Sequence, residues 1–274
     1  MGLKLLAAGF AALAVAAAPA ENGARYLRTH QLGNGGFAES GGPAYPALTA
    51  WATLGLRATG GSAGAAGKYL AAHERELKVS TDLELALVAE AALGLDTAAL
   101  AQRVRALRRP SGAIGPSVNS TIWGVLSLRS AGVPVPVGAK RYLLRQQARS
   151  GGWSWWPGGA PDSNDTAAAV QALRSLGVSG KPIRRGLRFL RRLQNRDGGF
   201  ELRPGRGSDA QSTAWAIQAF LAAGVQPARL AFRYLDGLQR PDGSFRYSKR
   251  YVTTPVWVTA QVLPALARRP FPLR

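Results

Sequence analysis

The chain has 274 residues, 46% of them hydrophobic, and carries 35 Lys and Arg against 15 Asp and Glu for a formal net charge of +20. That size and apolar content suffice for one large core. The absence of Cys excludes a disulfide framework, a lipid-modified amino-terminal Cys and any thiolate metal site.

The basic residues are spread over many predicted helix faces instead of one stripe, so the charge reads as a solvated surface and no nucleic-acid partner is expected. Lys4 precedes an apolar run from Leu5 to Ala18, and Ala18-Pro19-Ala20 places small residues at both cleavage-defining positions. This layout predicts a secretory signal peptide over 1–20 and a secreted or extracytoplasmic mature domain over 21–274. The run is short for a bilayer span, which needs about 20 residues. No second apolar stretch follows, so the mature chain is expected to have no transmembrane span.

A repeat begins at Gly23. Gly23, Tyr26, Leu27, Gln31, Gly35 and Phe37 recur at the same offsets as Gly186, Phe189, Leu190, Gln194, Gly198 and Phe200, with Arg185 ahead of the second set. Ala139, Tyr142, Leu143, Gln147, Gly151 and Trp153 form another copy, and Ala231, Tyr234, Leu235, Gln239, Gly243 and Phe245 another. Weaker copies keep Tyr69, Leu70 and Glu74, and the turn half Gly112 and Ile114 after Arg108. Successive repeats lie 34 to 47 residues apart, the range of a helical repeat array. Each copy reads as an amphipathic basic helix, a Gly turn, and then a more apolar helix. The apolar helices are predicted near 45–57, 81–93, 119–130, 162–176, 209–223 and 253–267. Most follow Asn, Asp, Ser or Thr, which predicts side-chain caps. Six hairpins of twelve helices and no useful strand are expected.

These positions resemble the QW motif of the prenyltransferase and squalene-cyclase repeat family. The resemblance implies an all-α toroid, an α6/α6 barrel of two concentric helical rings, whose inner helices start at one mouth and line a cavity. The inner starts then become the candidate site. They carry Trp51, Trp123 and Trp215 after a recurring Thr, with Asp162, Asp165, Asp209 and Gln211. Trp155 and Trp156, which lie outside the motif, and Tyr251 stand on the loops ahead of two starts and can stack on an apolar ligand.

Asp162-Ser163-Asn164-Asp165-Thr166-Ala167 resembles the D-x-D-D-T-A element of class II terpene cyclases, whose middle Asp protonates an alkene or epoxide. Here Asn164 holds that place, and an amide cannot donate such a proton, so the resemblance implies no catalytic residue unless the acid has moved to Asp162 or Asp165. Those cyclases are further expected to have two toroids with the cavity between them. A protein-prenyltransferase zinc site is excluded, because only His30 and His73 accompany the absent Cys. A glycan-active site would need two opposed carboxylates from Asp82, Glu84, Asp162, Asp165 and Asp209.

The leading expectation is a non-catalytic exported toroid that needs no cofactor and binds an apolar or corrinoid-like ligand. It resembles the toroid of corrinoid carriers, with a separate small β-domain protein as partner. A terpene cyclase acting on an isoprenoid with a degenerate D-x-D-D motif is the alternative.

Overall fold

The computed structural model describes residues 19–273, so the apolar run from Leu5 to Ala18 lies outside the described residues. Among the described residues twelve α-helices follow one another. The first, α1, is described over 19–29. Then come α2 (Pro46–Ala58), α3 (Ala66–His73), α4 (Ser80–Leu93), α5 (Ala98–Ala106), α6 (Val118–Ser130) and α7 (Val137–Arg145). The last five are α8 (Ser163–Ser175), α9 (Lys181–Arg191), α10 (Ala210–Ala222), α11 (Arg229–Asp236) and α12 (Pro255–Leu266). Pro19 and Ala20, which precede the expected boundary, take part in the packing: the Pro19 carbonyl accepts from Gln239 Nε2 at 2.8 Å, and Ala20 is buried.

The even-numbered helices pack in the order α2, α4, α6, α8, α10, α12 and back to α2, which closes an inner ring. They are buried nearly all round, as their Ala- and Leu-rich sequences require. The odd-numbered helices lie outside. In α9, Ile183, Gly186, Leu187 and Leu190 face inward at helical spacing, while Arg184, Arg188 and Arg191 are exposed.

The repeat motif supplies the joints. Gln31, Gln147 and Gln239 each donate through Nε2 to their own turn (the carbonyls of Gly35, Gly151 and Gly243) and to the start of the next outer helix. Gln194 makes the bond to its own turn, at the Gly198 carbonyl. The turn glycine lets the backbones touch. Gly151 has φ +99°, and a Cβ there would stand 2.6 Å from the Arg185 carbonyl oxygen of α9. The outer helices therefore form a head-to-tail belt, which Gln239 and Pro19 close.

The weak second copy departs from this scheme. Glu74 contributes its backbone carbonyl, which accepts from the Arg103 guanidinium at 2.8 Å, and its side chain does not replace the Gln.

The residue at the last position of the motif locks five of the six inner helices. The backbone N–H groups of Phe37, Ile114, Trp153, Phe200 and Phe245 donate to Thr49, Thr121, Thr166, Thr213 and Thr259 at 2.9–3.1 Å. The expected side-chain caps hold only in part. Ser117, Asp162 and Asp209 cap α6, α8 and α10, whereas α2, α4 and α12 have none. A two-residue antiparallel hairpin, β1 (Phe200–Glu201) with β2 (Ser208–Asp209), also stands where no strand was expected.

Neighbouring repeats supply further acceptors at the starts of α6, α8, α10 and α12. Trp155 O accepts from the N–H groups of Val118 and Asn119, Leu202 O from Ser163, and Tyr247 O from Ala210. The Glu39 carboxylate accepts from Val256 and Trp257. The loops before α8, α10, α12 and α2 thus each satisfy orphan donors of the preceding inner helix in the ring.

Candidate functional site

The first turns of the inner helices and the loops leading into them enclose a cavity of about 380 Å³. Its base is aromatic. Trp51 lies edge-on to Trp123 and Trp215 with ring centroids 5.4 and 6.0 Å apart, and Trp257 is 6.0 Å from Trp51. These indoles both pack on one another and wall the cavity. Beneath them the chain following α12 turns back into the lumen. The Phe271 ring stacks on Trp215 at 5.7 Å, and its N–H donates to Gln171 Oε1 at 2.8 Å. Phe271 thereby closes the lumen below the site.

One wall is acidic. Asp162 Oδ1 accepts the Asp165 N–H at 2.8 Å, which caps α8 and holds the two carboxyls side by side. Arg203 stands 3.7 Å from Asp162. Asn119 of α6 reaches across to donate to Asp165 Oδ1 at 2.6 Å. Burial, reinforced by the charge of Asp162, pushes the Asp165 carboxyl up to about 7. Burial also raises Asp162, against the pull of its own cap bond and of Arg203. Asp82, on the far wall, is raised by burial as well. Two buried polar atoms of lining residues have no protein partner: Asn119 Oδ1 and Gln261 Nε2. Gln261 Oε1 is occupied, since it accepts from Trp215 Nε1 and Gln211 Nε2.

Of the residues picked out from the sequence, Trp51, Trp123, Trp155, Asp162, Asn164, Asp165, Gln211 and Trp215 line this cavity. Trp156 does not; it points to solvent from the rim. Asp209 and Tyr251 lie beyond the hairpin of β1 and β2, in a separate pocket with Arg206, Tyr234, Tyr247 and Lys249. Burial pushes Asp209 up to about 6 even though its carboxylate caps α10. Glu84 is wholly buried in α4 outside the cavity with neither carboxyl oxygen paired, and burial holds it well above the usual range.

Sequence reasoning passed over Trp257, Gln261, Leu85 and Asn119 as cavity-lining residues. Only Asn119 carried a signal, as a polar residue at an inner start. His30 and His73 sit on the rings of Tyr26 and Tyr69, with centroids 4.2 and 4.0 Å apart, and away from the cavity. Among the described residues no cluster of three His, Asp or Glu could hold a metal, and no helix is long and apolar enough to cross a membrane.

Two closed concentric helical rings make an α/α toroid with its site at the inner amino termini. The type II terpene cyclase MstE from Scytonema, solved with geranylgeranyl dihydroxybenzoate, has this fold. It superposes with a TM-score of 0.75 at 14% identity, over 95% of this chain and 99% of that one. A protein described as a glycosidase superposes at 0.63 with 14% identity, over 94% of this chain and 97% of that one. No protein-family model matches the chain. In sequence, 51 residues are 41% identical to squalene–hopene cyclase of Alicyclobacillus acidocaldarius. That stretch is 18% of this chain and 8% of that enzyme. In fold and in this segment alike, the chain resembles the prenyltransferase and squalene-cyclase repeat family. One expectation is corrected here: a single toroid covers the solved MstE chain almost completely, so a type II cyclase does not require two.

Proposed function

We propose that the protein binds an apolar ligand of the isoprenoid class in its central cavity, with one polar end of that ligand at the acidic wall. The observation that carries this reading is the bowl of Trp51, Trp123, Trp215 and Trp257 beneath the Asp162–Asp165 pair. Aromatic faces hold extended hydrocarbon, and the unpaired Asn119 Oδ1 and Gln261 Nε2 offer one acceptor and one donor to a hydroxyl or carbonyl. Small-molecule sites span roughly 300–1,000 Å³. The cavity falls near the small end of that range, which favours an isoprenoid over a corrinoid.

Titration with geranylgeraniol, followed by intrinsic Trp fluorescence, tests the reading. Saturable quenching is expected, with loss of binding when Ala168→Trp fills the cavity in a protein that still melts cooperatively. Quenching that survives that substitution would sink the proposal. Export is part of the same reading, and amino-terminal sequencing of the protein recovered outside the cell checks it.

Asp165 favours a second reading, acid-initiated cyclisation. A carboxyl held protonated near neutral pH, in an apolar cavity, can give its proton to an alkene carbon. A carbon–carbon bond then forms at the resulting cation, which indole faces stabilise. Loss of a proton regenerates the alkene, so the product is an isomer. The test is incubation with an acyclic isoprenoid in heavy water. A cyclic product carrying one deuterium, abolished by Asp165→Asn, supports this reading; unchanged substrate refutes it.

A further inference from the structure

The basic residues spread over several outer helices, as the sequence implied, but the acidic residues do not follow them. From 97 to 196 the chain carries 17 Lys and Arg and two acids, Asp162 and Asp165. Both acids are buried at the central cavity and offer the outer surface no counter-charge. The rest of the chain holds 18 Lys and Arg against 13 Asp and Glu. An arginine-rich composition would raise the basic count everywhere; it would not strip exposed acids from one stretch alone.

These cations stand side by side on the outer ring. Arg105 on α5, Lys140 and Arg141 on α7, and Arg184 and Arg188 on α9 are all exposed. Arg145 of α7 donates to the Ser111 carbonyl in the turn after α5 at 2.9 Å. Arg185 and Arg192 donate to the carbonyls of Ala148, Arg149 and Ser150 in the turn after α7. Those bonds stitch the three helices into one surface and neutralise no charge. Among the described residues, no Lys or Arg from 97 to 196 has a carboxylate within ion-pair distance. Arg141 with Arg145, and Arg184 with Arg188, put like charges four residues apart, which opposes the helix that carries them. Exposed acids return only at the two ends of this track, as Asp96 ahead of α5 and as Asp197 and Asp236 beyond α9.

We infer that α5, α7 and α9 form a docking track for an acidic polysaccharide, a flexible chain with carboxylate or sulfate groups on its sugars. Guanidinium groups hold such oxyanions through paired, charge-assisted hydrogen bonds. Shape decides among the polyanions. Successive helices of a closed ring face in different directions, so the track curves around the wall. A DNA duplex stays straight over about 150 base pairs and meets a convex wall along one helix or two. A single-stranded nucleic acid bends, but it draws much of its affinity from bases stacked on aromatic side chains. No aromatic side chain is exposed on these three helices. An acidic polysaccharide needs neither a flat face nor a stacking platform, and it can follow the wall to meet cations of all three helices at once.

The test is fluorescence anisotropy of the full chain with labelled alginate and labelled dextran sulfate, which carry carboxylates and sulfates respectively. Each polymer is used in a short form of about 6 sugars and a long form of about 40. At least one polymer should bind, the long form about tenfold more tightly than the short, with an affinity that falls steeply as salt rises. Arg105→Gln with Arg109→Gln, at one end of the track, should weaken the long form at least about fivefold, and so should Arg184→Gln with Arg188→Gln at the other. Arg229→Gln with Arg233→Gln, on α11 beside Asp236, should change it by less than about twofold. All six sites are exposed and none lines the central cavity, so every variant should melt, and respond to geranylgeraniol, as wild type does. Failure of both polymers to bind overturns the inference, as does equal affinity for the two lengths or an equal loss in the α11 variant. So does a duplex DNA of equal charge that binds more tightly and depends on the same arginines.

Discussion

Asp165→Asn should make the protein more stable at pH 8 and leave it nearly unchanged at pH 4. The folded state raises this carboxyl from 3.8 to about 7, chiefly because burial removes it from water. Between those values the folded state binds more protons than the unfolded chain, so its stability falls as pH rises through the window and levels off above pH 7. At about 1.4 kcal/mol per pH decade, the full difference is about 4 kcal/mol, an upper bound for a pair as close as Asp162 and Asp165. Asparagine keeps the oxygen that accepts from Asn119 Nδ2 and carries no charge. Urea unfolding of both proteins from pH 4 to pH 8 measures the effect. Asp162, Asp209 and Glu90 are also raised, so the wild-type curve alone mixes several groups. The difference between wild type and Asp165→Asn isolates one. Parallel curves across this range would mean that Asp165 ionises like an exposed carboxyl, and it could not then serve as a proton donor near neutrality.

Three further outcomes follow from the joints of the fold. Gly151→Ala combines an unfavourable positive φ with overlap at the Arg185 carbonyl, and should cost at least about 2 kcal/mol in thermal unfolding. Thr213→Val keeps the shape but leaves the buried Phe200 N–H without its acceptor, a loss of about 1–3 kcal/mol that urea unfolding would register. Gln239→Ala removes the bonds to Gly243 and Pro19 together; amide exchange in α1 should accelerate while that in α6 stays protected.

The repeat was legible because it is local. Gln147, Gly151 and Trp153 lie within a few residues of one another, and the bonds that fix their turn come from the same few positions. The recurring Thr before Trp51, Trp123 and Trp215 was visible too. Its task, accepting the N–H at the last position of the motif, requires knowing which hydroxyl faces which turn. The capping of α6 by Trp155 O could not be read, because backbone carbonyls leave no trace in side-chain identity. The site shows the same divide. Asp162 and Asp165 adjoin in sequence and were found. Asn119 lies 46 residues from its partner, and Phe271 lies 100 residues from Gln171. Asp209 looked equivalent to Asp162, since both cap inner helices. The short hairpin beside it diverts its surroundings into another pocket, and nothing in the local sequence marks that diversion.

The closed belt bears on how the chain is made. The bond from Gln239 to Pro19 spans 220 residues, and that from Trp257 to Glu39 spans 218. Until α12 leaves the ribosome, α10 and α2 have no helix between them, and the nascent chain is an open arc with an apolar face at each end. Contacts so distant in sequence form late and slowly. Open arcs of this kind can join one another before they close, so the arrival of α12 decides between a monomeric ring and a tangle. Synthesis at lower temperature or lower rate should therefore raise the yield of closed rings more than any change made within a single hairpin.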